Sequence, residues 1–164
     1  MGPADFAWLD AQRTAHFPAD RNVLPAHLTL FHHVPPSACA ELLRLFKAEV
    51  CGMAPVARIT GLISLGRGVA YRVASDGLEA IRDRIAAALK GQLTPQDNAP
   101  WRPHVTIQNK VPLRDARALR EALAAEFRPR PLAITGLAAF YYRDGPWEPI
   151  ADYRFNRSVR SPRN

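Results

Sequence analysis

The sequence predicts an α+β chain made of two related halves. Two observations carry that expectation: a short strand-like motif that occurs twice, and matching helix and hairpin patterns around each copy. His27-Leu28-Thr29-Leu30 returns 77 residues later as His104-Val105-Thr106-Ile107. Val34-Pro35 returns in the same register as Val111-Pro112, so both copies read H-[LV]-T-[LI]-x-x-x-V-P. Ile59-Thr60-Gly61-Leu62 reappears after 75 residues as Ile134-Thr135-Gly136-Leu137. A single HxT match has no weight. Two matched pairs, in one order and at nearly one offset, indicate an internal repeat.

The elements follow in order. Ala4 to His16 reads as a short helix that stops near HFPADRN. In the strand that comes next, side chains alternate, which puts His27 and Thr29 on one face and Leu28 and Leu30 on the other. PSACAELLRLFKAEV carries Leu42, Leu45, Phe46 and Val50 at helical spacing, and Cys51-Gly52 reads as its end, with glycine left-handed. VARITGLISLGRGVAYRV predicts a hairpin turning at Gly66-Arg67-Gly68. Asp76-Gly77-Leu78-Glu79 resembles a capping box, and Leu78, Ile81, Ile85 and Leu89 continue a helix from it. The second HxT strand is followed by LRDARALREALAAEF, a helix with Leu119, Leu123 and Phe127 on one face. LAITGLAAFYYRDGPWEPIADYRF then predicts a hairpin turning at Asp144-Gly145. Each half is helix, HxT strand, helix, hairpin. Residues 1–157 are expected to form one bilobal domain, and 158–164 a disordered basic tail.

Composition narrows the class. The chain has 164 residues, 48% of them apolar, enough for a core and against disorder. Its formal charge of +7 favours a polyanionic partner, although part of the surplus lies in the tail RFNRSVRSPRN. Cys39 and Cys51 form no CxxC spacing, so neither a disulfide framework nor a zinc module is expected. No basic-then-apolar leader or membrane-length apolar run is visible, so a cytoplasmic setting without membrane partners is the expectation.

Two strands of this kind leave a polar face per half, carrying an imidazole and a hydroxyl. If the halves face each other, two imidazoles converge. Imidazole titrates near neutrality, so one histidine can take a proton from attacking water while the other gives one to a departing alkoxide. The threonine hydroxyls can donate to the non-bridging oxygens of a phosphate. Pseudo-symmetry leaves open which histidine is base and which is acid. Phe31 continues the parity of His27 and Thr29, and either stacks on a base or packs in the core. Arg102 shares the parity of His104 and could reach a phosphate, unless Pro103 breaks the strand. Lys110 has the same parity but stands far along the strand, where a flanking nucleotide is its reach. His32 and His33 point to opposite faces with no third ligand at convincing spacing, so no metal site is predicted.

The paired H-x-T-x motifs, His27-Leu28-Thr29-Leu30 and His104-Val105-Thr106-Ile107, resemble those of the two-histidine (2H) phosphoesterase superfamily. Within it the chain is most similar to bacterial 2′–5′ RNA ligase-like proteins, from about Ala4 to Asn156. The resemblance implies a bilobal pseudo-twofold fold, with two antiparallel-rich sheets flanking a central cleft and helices outside. It also implies metal-independent, cofactor-free chemistry that opens 2′,3′-cyclic phosphates at RNA ends or nucleotides, or hydrolyses 2′–5′ linkages, in a monomer. His27 and His104 become the acid–base pair, Thr29 and Thr106 the phosphate binders. The alternatives are the reverse reaction, ligation of RNA ends through a 2′–5′ bond, and an RNA-binding module that does not catalyse. One departure stands out: family members commonly open with a β-strand, and MGPADFAWLD does not read as one.

Overall fold

The computed structural model describes residues 1–142 and 147–156. The chain divides into two compact units, each drawing segments from both halves of the sequence. Met1–Thr29, Arg58–Ala74 and Arg102–Leu132 form the first; Leu30–Ala57, Ser75–Trp101 and the chain from Ala133 onward form the second.

The first unit is a sheet with helices against one face. Its strands are β1 (Val56–Ser64), β2 (Val69–Ala74), β3 (His104–Gln108) and β4 (Arg130–Ala133), in the order β3-β2-β1-β4. β2 runs antiparallel to both β1 and β3. Helix α1 (Pro3–His16) starts with proline in its first turn, where a missing N–H costs nothing. It packs against β3, and its Leu9 is wholly buried. The first helix begins at Pro3. The Trp8 and Tyr71 rings lie 4.9 Å apart and Tyr71 meets Phe127 at 6.3 Å, so α1 and the end of α5 (Leu113–Glu126) cover the same sheet face. Tyr71, Val73, Val105, Ile107 and Ile59 are buried there, and truncating either isoleucine to alanine costs roughly 2–5 kcal/mol.

The second unit is helical with a two-stranded sheet. Helix α2 (Cys39–Glu49) packs on α3 (Asp76–Ala88), buries Leu42 and Phe46, and is tied to it by Arg84, whose two nitrogens meet the Glu49 carboxylate at 2.8 and 2.6 Å. The turn α4 (Pro95–Asn98) follows, and β5 (Gly136–Tyr141) pairs antiparallel with β6 (Glu148–Arg154), which rests against α2. Gly136 is required there: a Cβ on it would stand 2.2 Å from the Tyr153 carbonyl oxygen. Gly61, its counterpart in the repeat, has nothing within 4 Å of that position. The same tetrapeptide therefore serves two different ends.

Several expectations change in detail. Among the described residues the first HxT segment forms a single bridge, Leu28 to Val105, and neighbouring amides go to side chains instead, Ala26 N–H to Asp10 and the His32 and His33 N–H groups to Asp97. The cap of α3 is Ser75, whose hydroxyl accepts from Leu78 N–H at 3.1 Å and donates to the Val56 carbonyl at 2.7 Å. Asp76 falls inside the helix. Among the described residues the left-handed positions are Gly66, Gly91 and Lys110, so Gly52 does not close α2 that way. β3 ends at Gln108, which removes Lys110 from the strand. The turn at Asp144-Gly145 and the tail 158–164 lie outside the described residues.

Candidate active site

Both HxT motifs belong to the first unit. The Leu28–Val105 bridge is antiparallel, so its flanking residues also face each other in reverse order: His27 beside Thr106, and Thr29 beside His104. Leu28 and Val105 point to the helix side, where Val105 is fully buried, and the four polar side chains take the opposite face, each half-exposed. Were that register continued as a ladder, His27 and His104 would be diagonal partners, which stand about 7–8 Å apart. The bridge's antiparallel register thus brings the two HxT segments alongside each other.

The two rings are oriented in the same way. Nδ1 of His27 lies 2.8 Å from the Pro25 carbonyl oxygen, and Nδ1 of His104 lies 2.6 Å from the Arg102 carbonyl oxygen. A carbonyl accepts only, so each Nδ1 carries a proton and donates it to that carbonyl. In each case the acceptor is two residues upstream, a local bond that an extended x-Pro or Pro-x segment presents without help from the rest of the fold. The repeat is thus one of ring orientation as well as of residue type.

Helix α1 holds the first motif in place. Arg13 is buried, and its Nε donates to Asn22 Oδ1 and to the Leu24 carbonyl, both at 2.8 Å. Its terminal nitrogen donates to the Thr106 carbonyl at 2.9 Å. Burial lowers the guanidinium's pKa and the nearby Asp10 carboxylate pulls it back up, leaving it below the ordinary arginine value. Asp10 itself accepts from the Ala26 N–H at 2.8 Å. One helix therefore grips the approach to His27 and the backbone of the second motif together. Sequence reasoning missed Arg13, because an arginine in an amphipathic helix reads as a solvated residue.

The other sequence candidates fall as follows. Arg102 precedes β3, with its side chain exposed; its clear contribution is the carbonyl that holds the His104 ring. Pro103 does interrupt the strand, and its carbonyl accepts from Val73 N–H at 2.9 Å. Phe31 falls in the second unit, half-buried, where its ring meets the guanidinium of Arg82 at 5.2 Å. His32 and His33 lie there too, gripping a buried carboxylate. Asp97 accepts from His32 N–H at 2.7 Å, His33 N–H at 2.9 Å, the His32 ring at 3.2 Å and the Thr94 hydroxyl at 3.1 Å. Burial pushes the Asp97 pKa up, but these donors outweigh it and the net shift is downward. Tyr71 packs in the core. Among the described residues no three His, Cys, Asp or Glu side chains are placed to hold a metal ion.

A family model described as the 2′-5′ RNA ligase superfamily matches residues 2–146. The chain belongs to that superfamily. A search of curated proteins finds no match. Among solved structures this superfamily member is similar to the crystal structure of TT0787 of Thermus thermophilus. The TM-score is 0.58 and the identity 17%, over 96% of this chain and 94% of that one. At that identity the likeness speaks for the α+β fold with antiparallel sheets. Both HxT motifs fall within the matched span of the family model. Among the described residues no helix is long and apolar enough to cross a membrane.

Proposed function

We propose that this superfamily member is a metal-independent phosphodiesterase that opens 2′,3′-cyclic phosphates at RNA ends or on nucleotides, or hydrolyses 2′–5′ linkages. One histidine of the His27–His104 pair removes a proton from water as its oxygen attacks phosphorus. The bond from phosphorus to one ribose oxygen breaks, and the second histidine protonates that oxygen as it leaves. The ring nitrogens involved are the Nε2 atoms, since each Nδ1 is held by a carbonyl. Thr29 and Thr106 donate hydrogen bonds to the non-bridging oxygens. The observation that supports this reading best is the antiparallel Leu28–Val105 bridge between the two motifs, taken with the matching Nδ1–carbonyl bonds of His27 and His104.

The test is hydrolysis of nucleoside 2′,3′-cyclic phosphates by the wild-type chain and by His27→Gln and His104→Gln. Each variant is expected to lose at least about a hundredfold in kcat while keeping the wild-type melting temperature. Wild-type kcat/KM should rise and fall with pH, since one imidazole must be neutral and the other protonated, and EDTA should leave it unchanged. A monotonic pH profile or an absolute need for a divalent ion would sink the mechanism. Supplying two RNA fragments, one ending in a cyclic phosphate, tests the reverse direction; a 2′–5′ joined product as the main outcome would make the chain a ligase.

A further inference from the structure

Beyond the four motif residues, the open face of the first unit carries two arginines that the sequence does not single out. The register of β2 with β3 sets Arg72 opposite His104, on the side away from buried Tyr71 and Val105. Ala74, two residues on, shares that face and stands opposite Arg58 of β1. Arg58, Arg72 and Ala74 are all exposed. Neither guanidinium makes a hydrogen bond or ion pair among the described residues, whereas those of Arg13, Arg44, Arg82, Arg84, Arg130 and Arg154 all do. Between them the side chains are small. Ala74 is small, and Gly61, opposite Arg72, has open space where its side chain would be.

We infer that Arg72 and Arg58 form a track for a second phosphate, so that the preferred substrate is an oligonucleotide end and not a mononucleotide. The inference rests on the reading of His27 and His104 given above. Strands stand about 4.8 Å apart, so Arg58, two strands over and displaced along them, has its Cα roughly 12 Å from that of His104. A phosphate between the histidines is beyond easy reach of Arg58, and the next phosphate of a chain laid across Arg72 is not. Arginine suits the task because its planar fork binds phosphate oxygens bidentately and stays charged at any working pH. The open ground at Gly61 and Ala74 leaves room for the sugar between the two charges.

The experiment compares a nucleoside 2′,3′-cyclic phosphate with a short RNA oligonucleotide ending in one, using wild type, Arg58→Gln, Arg72→Gln and, as a surface control, Arg114→Gln from α5. Salt-dependent binding of a 3′-phosphorylated oligonucleotide is measured alongside. The wild-type ratio of kcat/KM, oligonucleotide over mononucleotide, should exceed one. It should fall about tenfold in Arg58→Gln, the size of one lost charge-assisted contact, and stay at the wild-type level in Arg114→Gln. The slope of log K against log salt should become shallower by about 0.7 per arginine removed. An unchanged ratio together with an unchanged slope overturns the track. If neither substrate is turned over but the slope still flattens in Arg58→Gln and Arg72→Gln, the phosphodiesterase reading fails and the phosphate track stands.

Discussion

Replacing Arg13 by leucine tests the link between α1 and the HxT pair. The substitution keeps the side chain buried while removing the donors to Asn22, Leu24 and Thr106. Hydrogen bonds from a charged donor contribute about 1.5–3 kcal/mol each. Three of them do not sum, because the leucine variant no longer desolvates a guanidinium and Asn22 can turn to water. What remains is the cost of leaving the Leu24 and Thr106 carbonyls short of a partner, about 1–3 kcal/mol apiece. A net loss of about 3 kcal/mol follows, and for a chain of this size that lowers the melting temperature by about 6–12 °C. Activity should suffer separately. With Asn22 and Leu24 released, His27 is no longer registered against Thr106, and a displacement near 1 Å at a reacting group can cost about a hundredfold. The assay is thermal unfolding by circular dichroism, with kcat and KM on a 2′,3′-cyclic phosphate measured well below the variant's melting temperature. The loss should fall on kcat, with KM moving little, and Arg13→Lys should restore part of both losses. A leucine variant that melts within about 2 °C of wild type and turns over normally would refute the view that α1 positions the site.

Two further outcomes separate residues that look alike in the sequence. Gly136→Ala drives a methyl group to 2.2 Å from the Tyr153 carbonyl and should destabilise by about 2 kcal/mol or more, whereas Gly61→Ala, with open space around it, should stay within about 0.5 kcal/mol of wild type by denaturant titration. Equal losses at both would show that the repeat imposes the same packing twice. Asp97→Asn turns an N–H donor toward the His32 or His33 N–H and should cost about 1–3 kcal/mol. Because the folded Asp97 pKa is depressed, the carboxylate's contribution is complete above the unfolded value near 4 and is lost as pH falls through the folded one. Denaturant midpoints taken downward from about pH 5 should therefore drop more steeply for wild type than for Asp97→Asn; parallel curves would refute the assignment.

Periodicity alone determined a good deal of this protein. The period of two in His27-Leu28-Thr29-Leu30 and its copy separates imidazole and hydroxyl from the apolar side, and the recurrence marks those residues as a pair. Helical spacing located α2, α3 and α5 to within a few residues, and the Gly66-Arg67-Gly68 turn located the first hairpin. These are local properties, set by which side chains neighbour each other on one element. Cross-strand and cross-element contacts are not local, and tertiary structure decided them. The single Leu28–Val105 bridge joins backbone groups 77 residues apart. A bulge between Ile59 and Gly61 sets which β1 residues stand over Arg72. Arg13 is a surface residue by its helix pattern and a buried clamp by its partners. The same holds for Arg72: its hairpin was legible, but its place beside His104 depends on register. An alternating pattern names a face; the hydrogen-bonded ladder chooses its neighbours, because each strand must satisfy its amides against whichever strand the whole chain brings alongside.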